Sequence, residues 1–208
     1  GDYLAIGALT RHREIETNEL VLVNSGLLAA ATRQVGDPQV RHRGTIGGAL
    51  AHGDPASDIP SAALALRASF IIEGPSGERE VGADDFFTGF LETALEPEEL
   101  LTEIRVPKLP NSKWSFQKFN RRAQDWAIVG ASVLIADNQC GVGLVNMDFK
   151  PVRAAALEEA IESGASAEEA SLLAADGLEP PSDLNASTEY RSHLARVLTK
   201  RGLQESGK

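Results

Sequence analysis

Between Gly36 and Asp58 the chain packs Gly, Pro, Asp and His so densely that no helical or strand period runs through it. Such a segment is expected to be irregular, with unusual backbone dihedrals. Its second part reads Arg43-Gly44-Thr45-Ile46-Gly47-Gly48-Ala49-Leu50-Ala51-His52-Gly53-Asp54-Pro55-Ala56-Ser57-Asp58. Paired glycines beside a hydroxyl have a physical use: without Cβ atoms, successive backbone N–H groups converge on an anion and a phosphate approaches closely. Thr45 adds a hydroxyl donor, and Asp58, at a helix start, accepts hydrogen bonds from a ligand or from its own helix's amides. A pyrophosphate fits this pattern, but so does a tight turn, the commoner use of a Gly-Gly pair.

The periodic segments on either side give an α+β chain. Tyr3 to Leu9 reads as a strand, Thr10 as an N-cap to a helical turn through Glu16, and Leu27 to Val35 as a helix with Ser25 as its cap. Asp58 and Pro60 open an alanine-rich helix to Arg67, and Ala68–Ile72 with Arg79–Val81 flank Gly74-Pro75-Ser76-Gly77 as a hairpin. Asp84 to Phe90 reads as a short helix and loop, and Leu101 to Val106 as a strand stopped by Pro107. Lys108-Leu109-Pro110-Asn111 carries the strongest linker signal, so a domain boundary is expected between 108 and 109. Beyond it Lys113–Phe119, Ala127–Ala136 and Gly141–Phe149 predict a three-stranded antiparallel meander, its last turn at Asp137-Asn138-Gln139-Cys140. A helical tail follows, with Pro151 opening its first helix, Ser166 to Ala175 forming the second, and Asn185 or Ser187 capping the third.

Composition narrows the function. The net charge of -10 disfavours nucleic acid and anionic lipid, which bind through clustered cations. A single cysteine, Cys140, builds no disulfide, redox pair or iron-sulfur cluster, so any redox centre must be a bound cofactor. No apolar run reaches the roughly 20 residues of a bilayer span, and the expected location is the cytoplasm. The histidines at 12, 42, 52 and 193 lack ligand spacing and read as surface or loop residues, so no metal site is expected. Arg41 and Arg43 flank the glycines either as phosphate ligands or as paired surface charges. Trp114 reads as core or interface. No catalytic Ser-His-Asp or paired-carboxylate arrangement stands out.

Several ordered motifs together resemble the FAD-binding medium subunit of molybdenum hydroxylases, of the carbon monoxide dehydrogenase and xanthine dehydrogenase type. They are Gly36-Asp37-Pro38-Gln39-Val40-Arg41, the Thr45–Asp58 run, Phe86-Phe87, Glu98 through Pro107, then Lys118, Arg121-Arg122, Asp125-Trp126-Ala127-Ile128-Val129-Gly130, Pro151-Val152-Arg153-Ala154 and Glu189-Tyr190-Arg191. The resemblance covers nearly the whole chain. It implies an FAD-binding PCMH-type subdomain over 1–108, lacking its N-terminal part, then a CO dehydrogenase flavoprotein C-terminal-like domain over 109–208, a three-stranded sheet with a helical bundle. Thr45, Ile46, Gly47, Gly48 and Ala49 are then the second of two loops around the FAD pyrophosphate, the first preceding Gly1, and Asp58 binds the cofactor further along. Leu101 and Lys118 match positions that approach the flavin, Val35 an apolar contact, and Trp126 an aromatic beside the isoalloxazine; a cation at Lys118 favours negative charge on the reduced flavin. Ala49 departs from the Asn or Ser common in the family, removing one hydrogen bond, about 1 kcal/mol.

The implied role is electron transfer. Electrons leave a molybdopterin-binding large subunit, cross the 2Fe-2S clusters of a small subunit and reach FAD here, in a dimer of heterotrimers. The substrate stays open, with carbon monoxide the nominal choice. A stand-alone FAD oxidoreductase and a non-catalytic docking scaffold are the alternatives.

Overall fold

The computed structural model describes residues 1–136 and 139–207. Strand β1 (Tyr3–Gly7) leads into short helices α1 (His12–Thr17), α2 (Glu19–Asn24), α3 (Gly26–Arg33), α4 (Pro38–Arg43) and α5 (Ile46–His52), then α6 (Asp58–Ala65). The hairpin of β2 (Ser69–Gly74) and β3 (Gly77–Gly82) lies where expected. After it come α7 (Ala83–Phe86), a small ribbon of β4 (Phe87–Gly89) and β5 (Glu92–Thr93), and β6 (Leu100–Pro107). The first sheet has the order β1-β6-β2-β3 and is antiparallel throughout. Over it Phe70, Phe86 and Phe87 pack edge to face, with Phe70 and Phe86 centroids 4.6 Å apart.

The second half opens on the expected meander: β7 (Lys113–Phe119), β8 (Val129–Ala136) and β9 (Gln139–Val145). A two-residue strand, β10 (Val152–Arg153), pairs with β9 and extends the sheet to β10-β9-β8-β7. Of the turn expected at residues 137–140, Asp137 and Asn138 lie outside the described residues, and Gln139 and Cys140 belong to β9. The tail holds α8 (Ala155–Glu162), α9 (Ala167–Ser171) and α10 (Thr188–Glu205). Strands β8 and β9 are buried at almost every position, because both faces are covered. Helix α6 lies on one face, and α8 to α10 close the other around Val142, Leu144, Leu157 and Ala195. The eight residues of α6 are all buried, since the helix also supplies Ile59, Ala62 and Leu64 to the core beneath the first sheet.

Local chemistry moved several boundaries. Residues 36–58 are not irregular throughout, because Asp37 accepts from Val40 N–H ahead of Pro38 to start α4, and Thr45 accepts from Gly48 N–H to start α5. Gly53, at φ 63°, ends α5 in the left-handed region that a Cβ disfavours. Thr10 does not cap α1: its carbonyl takes Ile46 N–H, and Arg11 occupies the cap without a side-chain bond. Ser25 stands at the N-cap of α3 but makes no cap bond. Pro151 precedes β10 rather than a helix. Ser166 forms a capping box on α9, and Ser187 caps α10.

Candidate cofactor site

The glycine run is built onto the end of β1. Ile46 N–H donates to the Thr10 carbonyl (3.0 Å) and Gly47 N–H to the Ala8 carbonyl (2.8 Å), while Gly48 N–H donates to Thr45 Oγ1 (3.1 Å). First-turn amides lack partners inside their own helix, so a cradle of free amides was the expectation; here the chain's own oxygens take them. Gly47 serves close packing instead: a Cβ there would lie 2.5 Å from Ala8 Cβ. Gly48 is exposed, and Ile46 is buried in the first core, against which Ala49 packs half-buried. Thr45 Oγ1 accepts from Gly48 and, among the described residues, donates to none, which leaves its proton for a ligand.

Beneath this loop lies a group that spacing did not reveal. His12 is buried rather than on the surface, with Nε2 2.9 Å from the Thr45 carbonyl and its backbone N–H donating to the Gly44 carbonyl. Burial pushes its imidazole pKa down, so the ring is neutral near pH 7. Gly44 permits the contact, since a Cβ there would stand 2.8 Å from the ring.

At the other end of α4 the chain forms a cleft of about 250 Å³. Three stretches of chain line it: Val35, Gly36 and Val40 around the start of α4, Ser57 and Asp58 at the start of α6, and Lys118 of β7 with Gln124, Asp125 and Trp126 beyond it. Lys118, from β7, and Asp58, from the start of α6, meet at 2.7 Å with both side chains buried, and Lys118 Nζ also donates to the Gln34 carbonyl at 3.0 Å. Burial pushes the Asp58 carboxyl up to about 6, against the opposing pull of the Lys118 ammonium. Its second oxygen, Oδ1, is buried without a hydrogen-bond partner. Such an acceptor costs roughly 1–3 kcal/mol until a donor reaches it. Trp126 stands at the rim, 61% exposed, with an aromatic face to offer.

An ion-pair cluster holds the near wall. Arg41 donates to the carbonyls of Val35 (3.1 Å) and Gly36 (3.3 Å) and pairs with buried Glu16 at 3.0 Å, which also pairs with Arg13. Of the two readings for Arg41, the paired charge is what the structure contains; Arg43 is exposed, and its carbonyl receives Arg11. Glu16 and Gln34 went unmarked because pairs distant in sequence leave no local signal. Leu101 stands apart: it is half-buried on β6 opposite Ile72, packs on the first core and does not line the cleft. Trp114 packs its indole over Gly26. The ten residues singled out from sequence thus fall into two groups joined by α4, with Leu101 outside both. Among the described residues no cluster of His, Cys, Asp or Glu could hold a metal ion, and no helix is long and apolar enough to cross a membrane.

The arrangement fits part of a dinucleotide. Its volume is below the roughly 300–1,000 Å³ of sites that enclose a drug-sized molecule, so it has room for one ring system and not for a whole dinucleotide. A flat ring carrying N–H and hydroxyl donors would face Trp126 and satisfy Asp58 Oδ1.

Residues 1–109 match the family described as the FAD binding domain in molybdopterin dehydrogenase, and residues 114–206 the CO dehydrogenase flavoprotein C-terminal domain. The carbon monoxide dehydrogenase medium chain of Hydrogenophaga pseudoflava is 37% identical over 98% of this chain and 74% of its own length. The glyceraldehyde dehydrogenase medium chain of Sulfolobus acidocaldarius is 36% identical over 97% of this chain and 75% of its own. Carbon monoxide dehydrogenase from Hydrogenophaga pseudoflava, in a form lacking the Mo-pyranopterin moiety of its molybdenum cofactor, superposes with TM-score 0.93 at 36% identity, covering 99% of this chain and 75% of that one.

Proposed function

Because this chain belongs to the FAD-binding medium subunits of the molybdenum hydroxylases, oxidoreductase subunits of carbon monoxide and xanthine dehydrogenase type with FAD as cofactor, we propose that it is the electron-transfer subunit of such a complex. The observation that carries the site is the buried Asp58 oxygen without a donor, beside the Lys118 ammonium in a cleft walled by Trp126. In this reading the isoalloxazine enters the cleft, and Asp58 Oδ1 accepts from a donor of the cofactor. Lys118 keeps positive charge beside the ring. Val35 and Trp126 exclude water from its two sides. The Thr45 hydroxyl, whose proton is uncommitted, reaches the pyrophosphate at the far end of α4, beside exposed Gly48 and the neighbouring Ile46, Gly47 and Ala49, while Leu101, matched to a position that approaches the flavin, stays outside both groups.

Bound FAD supplies a carrier that accepts and releases electrons, and this chain's residues place it and set its electrostatics. A cation at Lys118 favours negative charge on the ring by Coulomb attraction, reduced by the opposing charge of the Asp58 carboxylate 2.7 Å away. The proposal extends to the complex: electrons arrive from a molybdopterin centre on a large subunit through 2Fe-2S clusters on a small one, and leave to an external acceptor in the cytoplasm. Its assembly is a dimer of heterotrimers. Carbon monoxide is the nominal substrate; the relatives' names span carbon monoxide and glyceraldehyde, so substrate choice is assigned to the large subunit. A division between residues 108 and 109 belongs to the same proposal; the two apolar cores support it in that the second draws only on residues from Ile128 onward, while the first, built from residues 6 to 106, also takes in Leu134 of β8.

The test is a flavin titration followed by fluorescence on the protein and on Asp58→Ala. Binding weakened about tenfold or more by the loss of a charged acceptor supports the site. Equal affinity in both removes Asp58 from it.

A further inference from the structure

Helix α6 is held from below more tightly than core packing requires. Gly141 and Gly143, alternating on one face of β9, lie against the carbonyls of Ala65 and Ser61, one helical turn apart on α6. A Cβ on Gly141 would sit 2.0 Å from the Ala65 oxygen, and one on Gly143 would sit 1.9 Å from the Ser61 oxygen. No other residue type allows that approach, in which backbone Cα–H groups face helix carbonyls. Ser61 Oγ, which donates to the Asp58 carbonyl, also meets Ser132 Oγ of β8 at 2.8 Å.

Just past the helix, four charged side chains close a ring. Arg67 reaches Glu158 at 3.0 Å and Asp84 at 3.6 Å, and Arg153 reaches the same two carboxylates at 2.6 Å and 2.7 Å. Glu158, almost fully buried, also accepts the N–H of Val142, the residue between the two glycines. The ring therefore locks the C-terminal end of α6 to the strand on which the helix is seated, while its N-terminal end carries Asp58 into the cleft.

We propose that Gly141, Gly143 and the Arg67–Glu158–Arg153–Asp84 ring are positioning residues of the cofactor cleft: they set the seat of α6 and through it the alignment of Asp58 with Lys118. The inference rests on the cleft being the cofactor's. Asp58 and the ring are separated by the length of α6, roughly 12 Å at 1.5 Å per residue, farther than independent sites normally couple. A shared rigid helix supplies the coupling.

The experiment labels the protein with acetic anhydride and reads Lys118 against exposed Lys113 by mass spectrometry, in wild type, Gly141→Ala and Glu158→Gln. Glu158→Gln keeps the side chain's shape and an acceptor for Val142 while removing one of the ring's two negative charges, the one both arginines share, so it serves if Gly141→Ala fails to fold. Relative labelling of Lys118 rises about tenfold in the folded variants, through local opening of the pair, while amide exchange in β2 and β6 stays at the wild-type rate. Unchanged labelling, or a rise that comes only with faster exchange throughout β2 and β6, overturns the inference. An FAD titration on the same proteins separates the two readings: labelling that rises with FAD affinity unchanged keeps the seat and rejects the cleft as the cofactor's.

Discussion

Replacing Lys118 with Met removes the cation from a pair in which both side chains are buried, at 7% and 5% exposure. Breaking such a pair on one side costs about 3–5 kcal/mol when the remaining charge has no escape. Asp58 has an escape, because it can take up a proton. Burial has already raised its carboxyl from 3.8 to about 6, and the Lys118 charge and hydrogen bond were the influences lowering it; without them it rises further. The sign follows from proton counting. Between the unfolded and folded pKa values the native state binds more protons, so this group's contribution to stability falls as pH rises through that window, by about 1.4 kcal/mol per unit or about 3 kcal/mol in all. In wild type at pH 8 Asp58 is ionised and Lys118 offsets part of that cost; in Lys118→Met only proton uptake relieves it, and that uptake costs more the higher the pH. At pH 5 Asp58 is mostly protonated in both proteins and the difference shrinks. Urea denaturation at the two pH values is the assay, and comparing variant with wild type cancels other titrating groups. The expected loss is about 3 kcal/mol or more at pH 8 and under about half of that at pH 5, with the denaturant slope unchanged. An equal loss at both values would refute a buried, proton-absorbing Asp58.

Gly47→Ala drives a Cβ to 2.5 Å from Ala8 Cβ and 2.7 Å from its carbonyl oxygen, and thermal unfolding should show a loss of about 1–3 kcal/mol from overpacking. Gly48→Ala meets only Thr45 Oγ1, at 2.9 Å, and should cost less. Thr45→Ala removes the α5 cap, a loss of about 1 kcal/mol that should come with weaker FAD binding in the same sample. Trp126→Ala should leave the melting temperature within about a degree, because a largely exposed side chain contributes little to stability, while a water-soluble quencher reaches bound flavin more readily; unchanged quenching would remove Trp126 from the ring's surroundings.

Much of this architecture is written in short-range signals. The hairpin at residues 74–77, the meander of β7 to β9 and the capping serines at 166 and 187 depend on residues within a few positions of one another, and such patterns are readable from one sequence. Residues 36–58 misled because glycine and proline density signals irregular backbone, whereas Asp37 and Thr45 each nucleate a short helix within it. The glycines were legible as a place of close approach, but what approaches Gly47 is Ala8, some forty residues away in the chain. Asp58 and Lys118 were marked separately through the family resemblance, and their pairing across 60 residues is a property of the fold. Buried His12 and the clamp of Arg41 on the Val35 and Gly36 carbonyls carry no local pattern and emerge only from tertiary contacts.

The central claim is that the cleft between Asp58, Lys118 and Trp126 receives the flavin ring, and a crystal structure of the protein grown with FAD tests it most directly. The account predicts the isoalloxazine beside Trp126, a cofactor donor about 2.7–3.2 Å from Asp58 Oδ1, and the pyrophosphate against Thr45 and Gly48. A flavin ring bound elsewhere, with Asp58 Oδ1 still without a donor, would contradict it.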